Sequence, residues 1–153
     1  MVRSLLLSAA AFLAAPAMAD DLKLSEDEKA VIELTNAERK KADLPPLTAN
    51  PKLFAAARAH AGNMAKQDKL AHELDDKTAE DRLKAASYKY SRYGENIGWK
   101  YDTPKVAIAA WMDSPIHKEN ILTKDFTEIG VAVAKNAKGE PYWVQVFGAP
   151  LGR

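Results

Sequence analysis

The sequence predicts a single α+β domain in which several helices pack against an antiparallel sheet. Helical periodicity with recognisable capping chemistry fills the first two thirds of the chain. The pattern then changes to the β-branched and aromatic runs "IGVAVAK" and "YWVQVF". Between them "NAKGEP" is turn chemistry, so the two runs form a hairpin. No internal repeat or low-complexity linker divides the chain.

The first 19 residues stand apart. Arg3 gives a positive start, "LLLSAAAFLAA" is an apolar run, and "AMA" at 17–19 places small residues where a signal peptidase reads them. The run is shorter than a membrane span of about 20 apolar residues. The expectation is a cleaved secretory signal over 1–19 and one domain over 20–153. "SEDE" at 25–28 then opens a helix, with Ser25 and Glu28 at capping-box spacing. Val31, Leu34 and, less regularly, Ile32 and Ala37 give it an apolar face, and "DLPPL" stops it. "ANPKLF" opens a second helix, with Asn50 as cap and Pro51 in the first position. Its inward stripe is Leu53, Ala57, His60, Ala61 and Met64.

"KTAEDRLKAA" predicts a short third helix with Thr78 as cap and Asp81 in the reciprocal position, and "ENIGWKY" a strand. "DTPKVAIAAWM" predicts a fourth helix, capped by Thr103 ahead of Pro104. In "WMDSPIHKENIL", Ser114 has N-cap chemistry and Pro115 suits a first helical position, so His117 falls in the first turn.

Composition narrows the function classes. The chain has no cysteine, which excludes thiol catalysis, cysteine zinc sites and iron–sulfur clusters. Without Arg3, basic and acidic residues are equal in number, and no basic cluster marks a nucleic-acid or anionic-membrane surface. No second apolar run reaches spanning length, so the mature chain is expected to be exported without stable membrane insertion. No G-x-G-x-x-G or P-loop pattern occurs.

Chemistry must therefore come from histidines, carboxylates, hydroxyls or a metal they hold. Glu95 sits in "YGENIGW", a carboxylate in apolar company that needs a partner if buried. Of the three histidines, His60 reads as a core residue on an apolar helical stripe. His72 lies in the loop "KLAHELDD", where Asp76 stands in place of the second histidine of a zinc-protease helix. His117, near a positive helix end, is expected to be neutral, the form that binds metal or accepts a proton. Asp113, Ser114 and His117 are too tightly packed in sequence for a hydrolase triad, and no nucleophile elbow is present. Tyr88, Tyr90, Tyr93 and Trp99 cluster around Glu95 and read as core before groove.

Together "LTNAERKKADLPPL", "AAARAHAGNMA", "LAH", "DRLKAASY", "YGENIGW", "AAWMDSPIHKENIL", "TEIGVAVA" and "YWVQVFG" resemble the bacterial branch of the CAP superfamily. That superfamily of SCP-like extracellular domains is named for cysteine-rich secretory proteins, antigen 5 and pathogenesis-related class 1 proteins. The likeness runs from about Ile32 to Gly148. It implies a three-layer α-β-α sandwich with a central antiparallel sheet, and a cleft whose His/Glu tetrad binds divalent metal in some relatives. His72 matches the first histidine, Glu95 the glutamate of "GEN", and His117 the second histidine. The second glutamate is missing: the family pattern Trp-Tyr-x-Glu reads Trp111-Met112-Asp113-Ser114 here, with Asp113 one place early as the nearest substitute. The missing cysteines also depart from the disulfide-stapled animal and plant members.

Two imidazoles and a carboxylate suit Zn²⁺ or another divalent metal with an open position, so His72, Glu95 and His117 are the expected metal ligands. The function expected is a secreted or periplasmic, non-catalytic binding module for a lipid, small apolar or cell-envelope ligand. The alternative is a metal-assisted hydrolase using the same cleft, with Asp113 or Glu73 as base. A third reading is an interaction module with a vestigial cleft.

Overall fold

The computed structural model describes residues 22–152. The expected signal over 1–19 lies outside the described residues. Helices α1 (Glu26–Lys41), α2 (Pro51–Gln67), α3 (Ala79–Ala85), α4 (Pro104–Asp113) and α5 (Pro115–Leu122) surround strands β1 (Thr48–Ala49), β2 (Tyr90–Trp99), β3 (Glu128–Lys135) and β4 (Pro141–Pro150). The sheet order is β1-β3-β4-β2. The three long strands pair antiparallel, as expected, and the two-residue β1 adds a short parallel edge to β3. Among the described residues no helix is long and apolar enough to cross a membrane.

Alternation along β4 divides the core into the two halves of a three-layer α-β-α sandwich. Tyr142, Val144 and Val146 face α2 and α3, joining Leu53, Met64 and Leu83. Trp143 and Phe147 face the other way, joining Val31, Ile108, Trp111 and Ile121 of α1, α4 and α5. Gly130 lets α2 lie directly on the sheet, since a Cβ there would collide with the backbone of Leu53 and Phe54. The far end of α2 is tied to the β3–β4 hairpin through Asp68, which accepts from Lys138, Tyr142 and Asn136. Those donors hold its carboxyl down at about 2.

The caps follow local chemistry. Ser25 with Glu28 and Thr78 with Asp81 form reciprocal capping boxes, Asn50 caps α2, and Thr103 caps α4. Two expectations change. Ala37 of α1 is exposed; Val31, Leu34 and Ile32 pack inward as expected, and the buried stripe also takes in Glu28, Thr35 and Arg39. Polar groups succeed there because each finds a partner. Thr35 donates to the Val31 carbonyl and accepts from Gln145 of β4, while Arg39 donates to backbone carbonyls. The Ser114 hydroxyl makes no helix-cap bond; it meets Nδ1 of His117 at 2.9 Å.

Candidate functional site

Glu95 lies on β2, the edge strand opposite β1, with its side chain only 4% exposed. Each carboxylate oxygen has its own partner. Nη2 of Arg82, from α3, donates to Oε2 at 2.7 Å. Nδ1 of His72 lies 2.9 Å from Oε1. Arg82 is buried and also donates to the carbonyls of Lys77 and His72, which fixes the loop carrying His72. His72 itself is 59% exposed. Anchoring Nδ1 on a carboxylate fixes the ring and leaves Nε2 as the free nitrogen.

A second histidine approaches Glu95. Nε2 of His60, on α2, lies 3.9 Å from Oε1. The ring is buried, and neither nitrogen completes a hydrogen bond among the described residues; a polar contact with the Ala71 backbone falls short of one. His60 is buried in the core, as expected, and its approach to Glu95 is what the helical pattern did not indicate. The contact comes from a strand 35 positions downstream, beyond the reach of helical spacing. Burial lowers the His60 pKa; the Glu95 carboxylate opposes this and the Arg82 guanidinium adds to it, with a net lowering. Burial alone would push the Glu95 carboxyl up. The His72 hydrogen bond and the Arg82 charge outweigh it and hold Glu95 below the ordinary carboxylate range.

His117, on α5, is coupled to β2 differently. Its ring nitrogen meets Ser114, and its carbonyl accepts from Asn96 at 3.1 Å. Asn120 of α5 donates to the Asn96 side chain and to the Glu95 carbonyl. Asn96 in turn donates to Gln145. His117 is held towards its neutral form, as expected, but burial is the main cause and the His72 charge adds to it. Asp113 ends α4 exposed, and takes no part in these contacts.

The donor set expected for Zn²⁺ is therefore not assembled. Among the described residues no group of three His, Asp or Glu side chains is placed to hold a metal ion. Glu95 is shared between His72 and a guanidinium, with His117 turned to Ser114. A carboxylate held ionised by Arg82 is also a weak base. Sequence reasoning passed over Arg82, and it read His60 as core without connecting it to Glu95. A charged residue next to Leu83 on a short capped helix was the one available signal for Arg82.

Beside this network a groove of about 690 Å³ opens between α2 and α3. Ala55, Ala59 and Ala85 line it, and His60 and Arg82 form its buried wall. Asp75, Asp76 and Asp81 outnumber Lys77 around it. The expected aromatic cluster does not line this groove. Tyr88 is buried, Tyr90 and Tyr93 pack edge to face, and Trp99 stacks on Tyr142 with Lys100 over its ring.

A profile of the cysteine-rich secretory protein family, CAP, matches residues 32–147. The chain is 37% identical over 125 residues to the uncharacterized protein YkwD of Bacillus subtilis, covering 81% of this chain and 48% of that one. It is 28% identical to the uncharacterized membrane protein YlbC of the same organism, over 78% of this chain and 34% of the relative. The chain thus spans half or less of the length of these curated relatives. In structure it resembles an extracellular protein containing a SCP domain from Bacillus anthracis, with a TM-score of 0.74 at 26% identity, over 80% of this chain and 40% of that one. An outer surface protein of Borrelia burgdorferi shares the fold, with a TM-score of 0.78 at 23% identity, over 85% of this chain and 97% of that one.

Proposed function

This chain belongs to the cysteine-rich secretory protein (CAP) family, and from that premise we propose that it is an exported, non-catalytic binding module whose ligand lies in the α2–α3 groove. The observation that carries the reading is the groove itself: small apolar side chains line it, and its inner wall is the buried Arg82–His60 side of the Glu95 network. Apolar contact supplies affinity at roughly 25 cal/mol per Å² buried, and the fixed polar wall orients the ligand. The acidic surroundings favour a neutral or cationic head group over an anionic one. A single-chain lipid or an amphipathic cell-envelope fragment has that chemistry. Export is supported by the signal read over 1–19 and by the extracellular description of the Bacillus anthracis relative. The hydrolase alternative has less support, since Glu95 is engaged by Arg82 and His72 and Asp113 stands apart.

The test is an NMR titration with monolaurin, a neutral single-chain lipid, on wild-type protein and on Ala59→Trp. Ala59 lies on the exposed side of α2, so the indole is expected to fill the groove without unfolding the helix. Saturable shifts confined to α2 and α3, weakened at least about tenfold by Ala59→Trp, are the expected result. Binding that is indifferent to Ala59→Trp, or that maps to α1 and α4, overturns the assignment.

A further inference from the structure

One end of the domain gathers positive charge that the sequence does not display as a run. The far end of α2, the turn of the β3–β4 hairpin and the exit from β2 meet there. Lys66, Lys135 and Lys138 line a recess of about 350 Å³ together with Asp68 and Asn136. Lys138 is paired with Asp68 at 2.7 Å, and Lys100, just past β2, with Glu140 of the hairpin at 3.0 Å. Lys66, Lys69 beside Asp68, and Lys135 are exposed, and among the described residues none of them is paired with a carboxylate. With both carboxylates of this set paired, these three ammonium groups are in surplus.

Apolar surface lies in the same place. Trp99 ends β2 and is 37% exposed; it stacks on Tyr142, with the Lys100 ammonium 4.2 Å from its ring centre. The Tyr142 hydroxyl donates to Asp68, so a single ring separates Trp99 from the recess. Leu70, 45% exposed, lies in the segment that leads from Asp68 to His72 beside β2. A soluble polyanion would need only the lysines. An indole exposed among them suits a bilayer interface, where indole lies at head-group level and ammonium groups meet lipid phosphates.

We propose that this end of the domain docks peripherally on a bilayer bearing anionic phospholipids, with Trp99 entering the head-group layer and Lys66, Lys69 and Lys135 set over the phosphates. The formal charge of the whole chain, only +1, does not oppose this. Charges on other faces lie beyond a Debye length of about 8 Å from the contact and are screened. The inference is independent of what occupies the α2–α3 groove.

Vesicle co-sedimentation tests this, on the chain without residues 1–19, whose apolar run would itself bind lipid. Vesicles of phosphatidylcholine and phosphatidylglycerol in equal parts are expected to bind at least about tenfold more tightly than pure phosphatidylcholine, and about 1 M NaCl to remove the difference. The triple variant Lys66→Gln, Lys69→Gln, Lys135→Gln is expected to weaken binding at least about tenfold, at up to roughly fivefold per lysine. The same change at Lys40, Lys52 and Lys89, which line other recesses, is expected to leave binding within about twofold. Trp111 and Trp143 are buried, so Trp99 is the indole that reports on the contact. Its emission is expected to shift to the blue on anionic vesicles, and Trp99→Phe to remove the shift. No binding, equal binding to neutral vesicles, or an equal loss in both triple variants overturns the proposal. So does binding to dextran sulfate as tight as to the anionic vesicles, with Trp99 emission unmoved on the vesicles.

Discussion

Replacing Arg39 with methionine is expected to destabilise the protein by roughly 3–5 kcal/mol, read from the urea midpoint at constant slope. Arg39 is 1% exposed and faces no carboxylate in its hydrogen bonds. Its Nε donates to the Pro45 carbonyl at 2.9 Å, Nη1 to those of Ile121 and Thr123 at 2.9 Å, and Nη2 to that of Phe126 at 3.1 Å. Methionine fills much of the space but donates to none of them. An acceptor left buried and unsatisfied costs about 1–3 kcal/mol, and partial hydration of the outer ones keeps the total below the simple sum. The loss is large against a typical stability of about 5–15 kcal/mol. It would also loosen the segment between α5 and β3, and with it the placement of His117. A change below about 1 kcal/mol would mean that these carbonyls do not depend on Arg39.

Arg82→Met is expected to cost a similar amount, roughly 3–5 kcal/mol at neutral pH, because it leaves Glu95 as a buried charge with only the imidazoles of His72 and His60 beside it. The pH dependence separates this effect from lost packing. In the wild type the Glu95 pKa is depressed. Its contribution is present above the unfolded value of about 4.3 and is lost as the pH falls through the folded one. Without Arg82, burial dominates and the folded pKa rises above the unfolded value. The contribution then reverses: the variant gains stability relative to the wild type as the pH falls from 7 towards about 4.3, because protonation removes the buried charge. Thermal melts of both proteins across that range check the prediction. Parallel profiles would mean that Glu95 does not depend on Arg82 for its charge.

These two arginines show where sequence reading succeeds and where it stops. Caps are local, so Ser25 with Glu28, Asn50 with Pro51, and Thr78 with Asp81 announce their helices within four residues. The β3–β4 hairpin is equally local, since its turn lies between its strands. Arg39 looks like one of three cations in the basic last turn of α1, and only the carbonyls of residues 121–126 make it a core residue. Thr35 is similar: its partner Gln145 is 110 positions away. At the site, the contact between His72 and Glu95 spans 23 positions and was approachable only through the family pattern. That pattern carried no information about the guanidinium on the other carboxylate oxygen, and it drew attention to His117 over His60. β1 was missed because two residues hold no periodicity.

The measurement that tests the arrangement most directly is a ¹³C NMR titration of the Glu95 side-chain carboxyl in the wild-type protein. A Glu95 paired with Arg82 and His72 is expected to remain ionised as the pH is lowered through the ordinary glutamate range of about 4.3, titrating only below it. Titration of the Glu95 carboxyl at or above that range would contradict the buried ion pair on which the site is built.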